Sequence, residues 1–269
     1  MEENILGITK LINALLGKPA LALLSALHIQ PANPQYPIPN HIAMELLVFA
    51  IAAVFFLWLR SRLSVDSPGA TQQCVEALLH NSMNLGVMDL LENNIGHGAD
   101  QYLPMIGSVG LFVLFANLIS IVPGLASPTA ETSVPLGCAI VVFVYYNWAG
   151  LRKHGPLGYG KHFLGPTLAL SPLMVVIEAV SHLARLLSLT VRLWVNMMVS
   201  EMLYVIFLGL TVSLFAFAGN TSPAGYALAP VPILSAIFII LHIFVAFVQA
   251  FVFTILPVIY LSGAVAEGH

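Results

Sequence analysis

The chain has 269 residues, of which 59% are hydrophobic and only 8% charged, with a formal net charge of −3. Soluble domains carry about 25% charged residues, so this composition excludes a soluble globular domain and specifies an integral membrane protein. The weak charge gives no basis for binding nucleic acid or an acidic substrate. Cys74 and Cys138 are too few and too isolated for a disulfide framework or a metal site.

At the N-terminus, PALALLSALHIQP after Lys18 loosely imitates the apolar core of a signal peptide. Lys10 and Lys18 make a sparse leader, however, and the apolar run starts late. The expectation is an uncleaved amphipathic or interfacial helix followed by the Pro-rich segment QPANPQYPIPN. Residues 1–40 then form an extracytoplasmic segment, and 41–269 a single membrane domain.

Three ordinary spans follow, near residues 41–60, 102–123 and 132–151, each close to the ~20 residues that cross a bilayer. Arg60 and Arg62 close the first, and Arg152 and Lys153 the third, with Lys161 just beyond. Positive-inside counting puts these clusters in the cytoplasm and the N-terminus outside. Between spans one and two, Val75, Leu78, Leu79, Met83, Met88 and Leu91 recur at roughly helical spacing. That pattern predicts an amphipathic helix on the cytoplasmic side. In the loop after span three, GPLGYGKH nearly spells a phosphate-binding loop. His162 stands where Ser or Thr should bind magnesium, and no strand precedes it. No nucleotide site is expected.

The last two elements are too long for ordinary spans. A helix over 172–217 would measure roughly 69 Å, and one over 231–262 about 48 Å, against a hydrocarbon core of about 30 Å. Either they break, with Pro257 as one candidate point, or they lie steeply slanted, which is the preferred reading. The count reaches about five crossings, with the C-terminus in the cytoplasm. The fold class is therefore an all-α membrane protein with two long inclined C-terminal helices, suited to packing against another membrane assembly.

From Arg192 onward the only other formally charged side chains are Glu201 and Glu267. A mid-membrane cation costs roughly 2.5–3.5 kcal/mol even on lenient scales, so ion movement is the default function. Glu178, Arg185 and Arg192 are spaced by seven, near one helical line, with Ser181 and Ser188 beside it and Asn196 four residues on. Arg185 can pair with Glu178. Arg192 has no carboxylate at i±3 or i±4, so its partner must lie outside the helix. Glu201 falls roughly on the opposite face of that helix. His242 and Gln249 share a face of the last helix; taken singly, each could serve only as interhelical hydrogen-bonding glue.

The run LSLTVRLWVNMMVSE, together with HIFVAFVQAFVFTILPVIYLS, LFVLFANLISIVPG, PTAETSV and IEAVSHL, closely resembles the subunit a family of F-type ATP synthases over most of residues 40–266. The resemblance implies that Arg192 is the essential stator charge, facing a rotating ring of small two-helix subunits with mid-membrane carboxylates. It implies that Glu201 and His242 serve proton access from the outer side and that Gln249 packs near the arginine. Asn196, Ser188 and Glu178 match polar positions along two aqueous half-channels, and Asn117 and Glu131 join the proton-path set. Three positions depart from the pattern. Val195 and Ser200 stand where bacterial relatives commonly carry glycine, and Ser120 where some carry an acid.

The implied partners are the ring, b-type peripheral-stalk subunits, lipid and translocated protons. No cofactor or metal is expected, and the chain alone is not expected to be an enzyme. A bacterial plasma membrane is the expected location, since no basic, Ser-rich transit segment is seen. Sodium coupling is the alternative within the same family, an independent anion transporter a distant one, and a purely structural membrane scaffold a third.

Overall fold

The computed structural model describes residues 5–31, 33–65, 67–80, 86–96, 98–122, 124–164, 171–220 and 230–265. Within these stretches the side chains of 157, 161–164, 172, 215, 217–220 and 230–234 lie outside the description. The described residues form helices and no strand. In order they are α1 (Gly7–Ala26), α2 (Asn40–Arg60), α3 (Ala70–Leu79), α4 (Val87–Ile95), α5 (Leu103–Leu118), α6 (Ser133–Leu164), α7 (Ser171–Asn220) and α8 (Pro230–Val265). Short 3-10 turns flank α5 at Ala99–Tyr102 and Ile119–Ile121, and another covers Pro128–Ala130.

Six helical stretches are long and apolar enough to cross a membrane. Five are the expected spans and the sixth is α1, read from the sequence as interfacial. The buried face of α1 is Thr9, Asn13 and Gly17, four residues apart, while Leu11, Leu15 and Leu23 point outward. Polar-in, apolar-out is the pattern of a helix whose outer face meets lipid, and it holds for a helix on the membrane surface as for one that crosses it. The same inversion runs along the molecule, with Phe49, Val54, Leu57, Val144, Leu187, Ile240 and Phe244 all exposed. Arg62 lies over the Trp58 ring at 5.6 Å and Arg152 over Trp148 at 5.3 Å. Aromatic–cation pairs of this kind anchor span ends at a membrane surface.

Both long helices are continuous. α7 has 50 residues, about 75 Å at the helical rise. α8 has 36, with Pro257 inside it, about 54 Å by the same rise. The broken-helix alternative at Pro257 is therefore set aside. The predicted surface helix between spans one and two is instead two helices, α3 and α4. His80 caps α3 in an extended conformation. A side chain at Gly86 would strike the Leu79 carbonyl, so the start of α4 lies close against the end of α3. The His80 Nδ1–Asp89 Oδ1 contact of 2.8 Å ties the two helices together. Met83, part of the predicted stripe, lies outside the described residues. In α6 the straight helix ends at Gly155, whose φ of 70° only glycine adopts readily, followed by Pro156. The segment holding GPLGYGKH is thus helical rather than a loop, although the side chains of Lys161 and His162 fall outside the description.

The chain forms two compact units: Met1–Ala52, Leu114–Val134 and Trp194–Val248 make unit 1, and Ala53–Val113, Pro135–Leu193 and Gln249–His269 make unit 2. In unit 1, Asn13 grips the segment returning from α1 like a paired strand. Its Nδ2 donates to Ile38 O at 2.9 Å, and Ile38 N donates to its Oδ1 at 3.0 Å. Met44, Val48, Ala116, Met197 and Ala246 fill that unit's core. In unit 2, Ile106, Val113, Val142, Leu189, Phe253 and Leu261 do the same. A Cβ on Gly110 would sit 2.5 Å from Thr254 Oγ1, so α5 and α8 approach closely because that residue is glycine.

Candidate functional site

Polar groups buried in an apolar bundle must find partners or water, and tracing them picks out one cluster in each unit. In unit 1, α8 presents His242, which is 1% exposed. Its Nε2 lies 3.0 Å from Ser120 Oγ and its Nδ1 lies 2.6 Å from Ser200 Oγ on α7. The ring also lies against Tyr204, with centroids 6.0 Å apart. Ser120 in turn donates to the carbonyl of Asn117 at 3.2 Å.

The loop after α5 extends the network. Ser127 N donates to Glu201 Oε1 at 3.2 Å, and Ser127 Oγ donates to Ala116 O at 2.9 Å. Ser127 and Thr129 share a hydroxyl–hydroxyl bond of 2.7 Å, and Thr129 donates to Asn117 Oδ1 at 2.6 Å. Two buried atoms here have no hydrogen-bond partner among the described residues, Asn117 Nδ2 and Glu201 Oε2. Glu201 and Ser127 line a cavity of about 610 Å³ together with His41, Glu131, Trp194 and Met198. A cavity of this size holds many waters, and water there can satisfy the second carboxylate oxygen. Glu131, at the end of the 3-10 turn, is exposed and sits on the cavity wall.

In unit 2 the full charges gather on α7. Glu178 Oε1 lies 3.3 Å from His182 Nε2 and 3.9 Å from Arg185. Tyr146 on α6 bonds His182 Nδ1 at 2.7 Å, and the Arg185 guanidinium lies 5.4 Å from the Tyr260 ring centroid. Arg192 stands apart from this group. It is exposed, and among the described residues no acid lies within salt-bridge distance of it. Its backbone is held: Gln249, itself 1% exposed, donates from Nε2 to the Arg192 carbonyl at 2.7 Å. That bond occupies the main chain and leaves the guanidinium free to face outward.

Each residue singled out from the sequence now has a place. Unit 1 brings Glu201, Asn117 and His242 into one network with Glu131 on its cavity, and unit 2 joins Gln249 to Arg192 and Arg185 to Glu178. Ser188 and Asn196 are exposed on α7 and enter neither cluster. Sequence reasoning missed Ser127, Thr129, Tyr146 and His182 as members. It registered Ser120 and Ser200 only as departures from a pattern, whereas both bond His242. One signal was readable, a histidine at i+4 from Glu178. Ser127 and Thr129 carry no local signal, because Glu201 is 74 residues from Ser127.

Comparison with known proteins agrees with this architecture. The family model described as ATP synthase A chain matches residues 42–262. The chain is 41% identical over 264 residues to ATP synthase subunit a of Koribacter versatilis, covering 98% of each chain. It is 44% identical over 233 residues to that of Solibacter usitatus, covering 87% of this chain and 90% of the relative. With Aquifex aeolicus the identity is 35% over 229 residues, covering 85% and 97%. With helices and no strand among its described residues, six of them of membrane length, and a match along nearly its whole length to these relatives, the chain belongs to the ATP synthase subunit a family.

Proposed function

We propose that this chain is the stator of a rotary proton path, coupling proton flow to rotation of a ring of small carboxylate-bearing subunits during ATP synthesis. It carries out no nucleotide chemistry itself. The observation that carries the reading is Arg192: an exposed guanidinium on a membrane helix, with its backbone pinned by Gln249 and no acid beside it among the described residues. A cation so placed needs a partner carboxylate from outside the chain. α7 and α8, at about 75 and 54 Å, supply a wall for such a partner when steeply inclined. The relatives' name, ATP synthase subunit a, supports a place in that assembly, and b-type stalk subunits are proposed as further partners.

The mechanism follows from charge. A ring carboxylate crosses lipid only when neutral. A proton entering through the unit 1 cavity, by way of Glu201 and His242, neutralises it, with Asn117 and Glu131 along the way. When that site reaches Arg192, a permanent charge within about 4–6 Å favours the ionised carboxylate and expels the proton. Ser188, Asn196 and Glu178 lie along the remaining path. With Arg60, Arg62, Arg152 and Lys153 in the cytoplasm of a bacterial plasma membrane, and α1 interfacial, the N-terminus is outside and the C-terminus inside.

The test is ATP-driven pumping in vesicles carrying the whole complex, with assembly verified for each variant. Arg192→Ala is expected to abolish pumping, and Arg185→Ala to retain it. Pumping by assembled Arg192→Ala complexes would overturn the reading. Pumping that requires sodium and resists protonophores would replace the proton with sodium as the coupling ion.

A further inference from the structure

His182 and Tyr146 have no part in that scheme, yet they sit at the centre of the unit 2 charge cluster. His182 is 8% exposed and both its ring nitrogens are engaged, one by the Tyr146 phenol and the other by the Glu178 carboxylate. Its ring stacks on that of Tyr146, with centroids 5.6 Å apart and planes at 25°, and Phe143 meets it edge-on at 6.1 Å. Arg185 and Tyr260 complete the surroundings from α7 and α8. A cavity of about 90 Å³ touches Tyr146, Tyr159, Glu178, His182 and Arg185. That is room for about three waters at ~30 Å³ each.

The charge count is instructive. Glu178 and Arg185 already neutralise each other, so a merely structural partner for Glu178 could be an uncharged amide. The chain places there the one side chain that takes and gives a proton near neutrality. Both neighbours suit either state. A phenol donates to a bare Nδ1 and its oxygen accepts from a protonated one, while a carboxylate accepts from Nε2–H whether the ring is neutral or charged.

We propose that His182 is a relay residue of the translocation path, carrying the proton between the Glu178 carboxyl and water in the small cavity by way of the Tyr146 hydroxyl. A proton on Glu178 Oε1 moves to Nε2, leaving an imidazolium beside a carboxylate. The imidazolium then passes its Nδ1 proton to the Tyr146 oxygen as the phenol passes its own to a cavity water, and the ring returns to neutral. One proton enters, one leaves, and no other bond changes. The inference rests on the proton-stator reading above.

The deciding experiment measures ATP-driven pumping against pH in whole-complex vesicles of wild type, His182→Gln, Tyr146→Phe and Arg192→Ala. Glutamine keeps hydrogen bonds to both neighbours but carries no titratable proton. His182→Gln is expected to assemble, to pump about a hundredfold more slowly, and to lose the wild-type change in rate near neutral pH. An assembled His182→Gln complex with wild-type rate and pH profile overturns the relay. If His182→Gln does not assemble, Tyr146→Phe decides. It is expected to move the pH profile, and an unmoved profile overturns the proposal. Arg192→Ala separates the two levels: pumping by that variant sinks the stator reading itself. A block there beside a normal His182→Gln sinks only the relay.

Discussion

Around His242, unit 1 assembles hydroxyls, an amide and a single acid. Around Glu178, unit 2 assembles an acid, an arginine, an imidazole and phenols. The first cluster keeps a carboxylate oxygen and an amide nitrogen without partners among the described residues beside a large cavity. The second satisfies its acid twice over beside a cavity about one-seventh that size. On the proposed reading, these are two ways of making a proton mobile in a low-dielectric bundle. Hydroxyl–imidazole chains pass it without creating lasting charge, whereas an ion-paired cluster holds it as charge that neighbouring groups offset. The first depends on water reaching Glu201, the second on keeping opposite charges in contact.

Substitutions can sharpen or break that contrast. The largest effect is expected at Glu201→Gln, which removes the buried acid of the unit 1 network. Pumping should fall by about a hundredfold or more, measured in assembled vesicles. A near-normal rate would remove Glu201 from the path. Next come Ser120→Ala and Ser200→Ala, each of which strips one ring nitrogen of its hydroxyl. Each should slow pumping about five- to tenfold, while threonine at either position restores it. The energetic basis is the roughly 1–3 kcal/mol cost of a buried polar atom left unpartnered. Equal loss with alanine and threonine would mean that the hydroxyls only fill space.

Gly110→Ala probes packing rather than chemistry. The added Cβ meets Thr254, and complex stability should drop by about 1–3 kcal/mol, read by detergent or thermal dissociation, with the pH profile of pumping unchanged. The smallest effect belongs to Tyr159, outside the spans. Burial pushes its phenol up to about 12, with Tyr146 nearby adding to the shift. An unfolded phenol ionises near the ordinary value of 10. The fold therefore holds this group's full contribution below about pH 10 and loses it as pH climbs toward 12. Tyr159→Phe, which also removes the bond to Asn147, should flatten that alkaline decline, read as dissociation of the complex against pH.

How much of this the chain announces depends on how local the cause is. The spans and the long helices were legible because apolar runs and the lack of breakers between Pro172 and Gly209 are local facts. The division between α3 and α4 was not. The close approach of Gly86 to the Leu79 carbonyl is a tertiary fact that periodicity does not record. Arg192 stood out because charge in such a run is costly wherever it lies. Ser120 and Ser200 acquire meaning only when chain segments 122 and 42 residues from His242 are brought to its ring. The α7 line of Glu178, Arg185 and Arg192 was visible, but helical phase alone could not say that two of them turn toward Tyr146 and Tyr260 while the third faces outward.

The bond from Gln249 to the Arg192 carbonyl has a mechanical side. It clamps the root of the arginine to α8 and leaves its head on a jointed four-bond arm. Under the proposed stator role, a passing carboxylate would meet a charge that can follow it through an arc from a fixed origin. Such a mount tolerates a rotor that arrives slightly early or late. It sets timing by the reach of one side chain rather than by the alignment of two rigid surfaces.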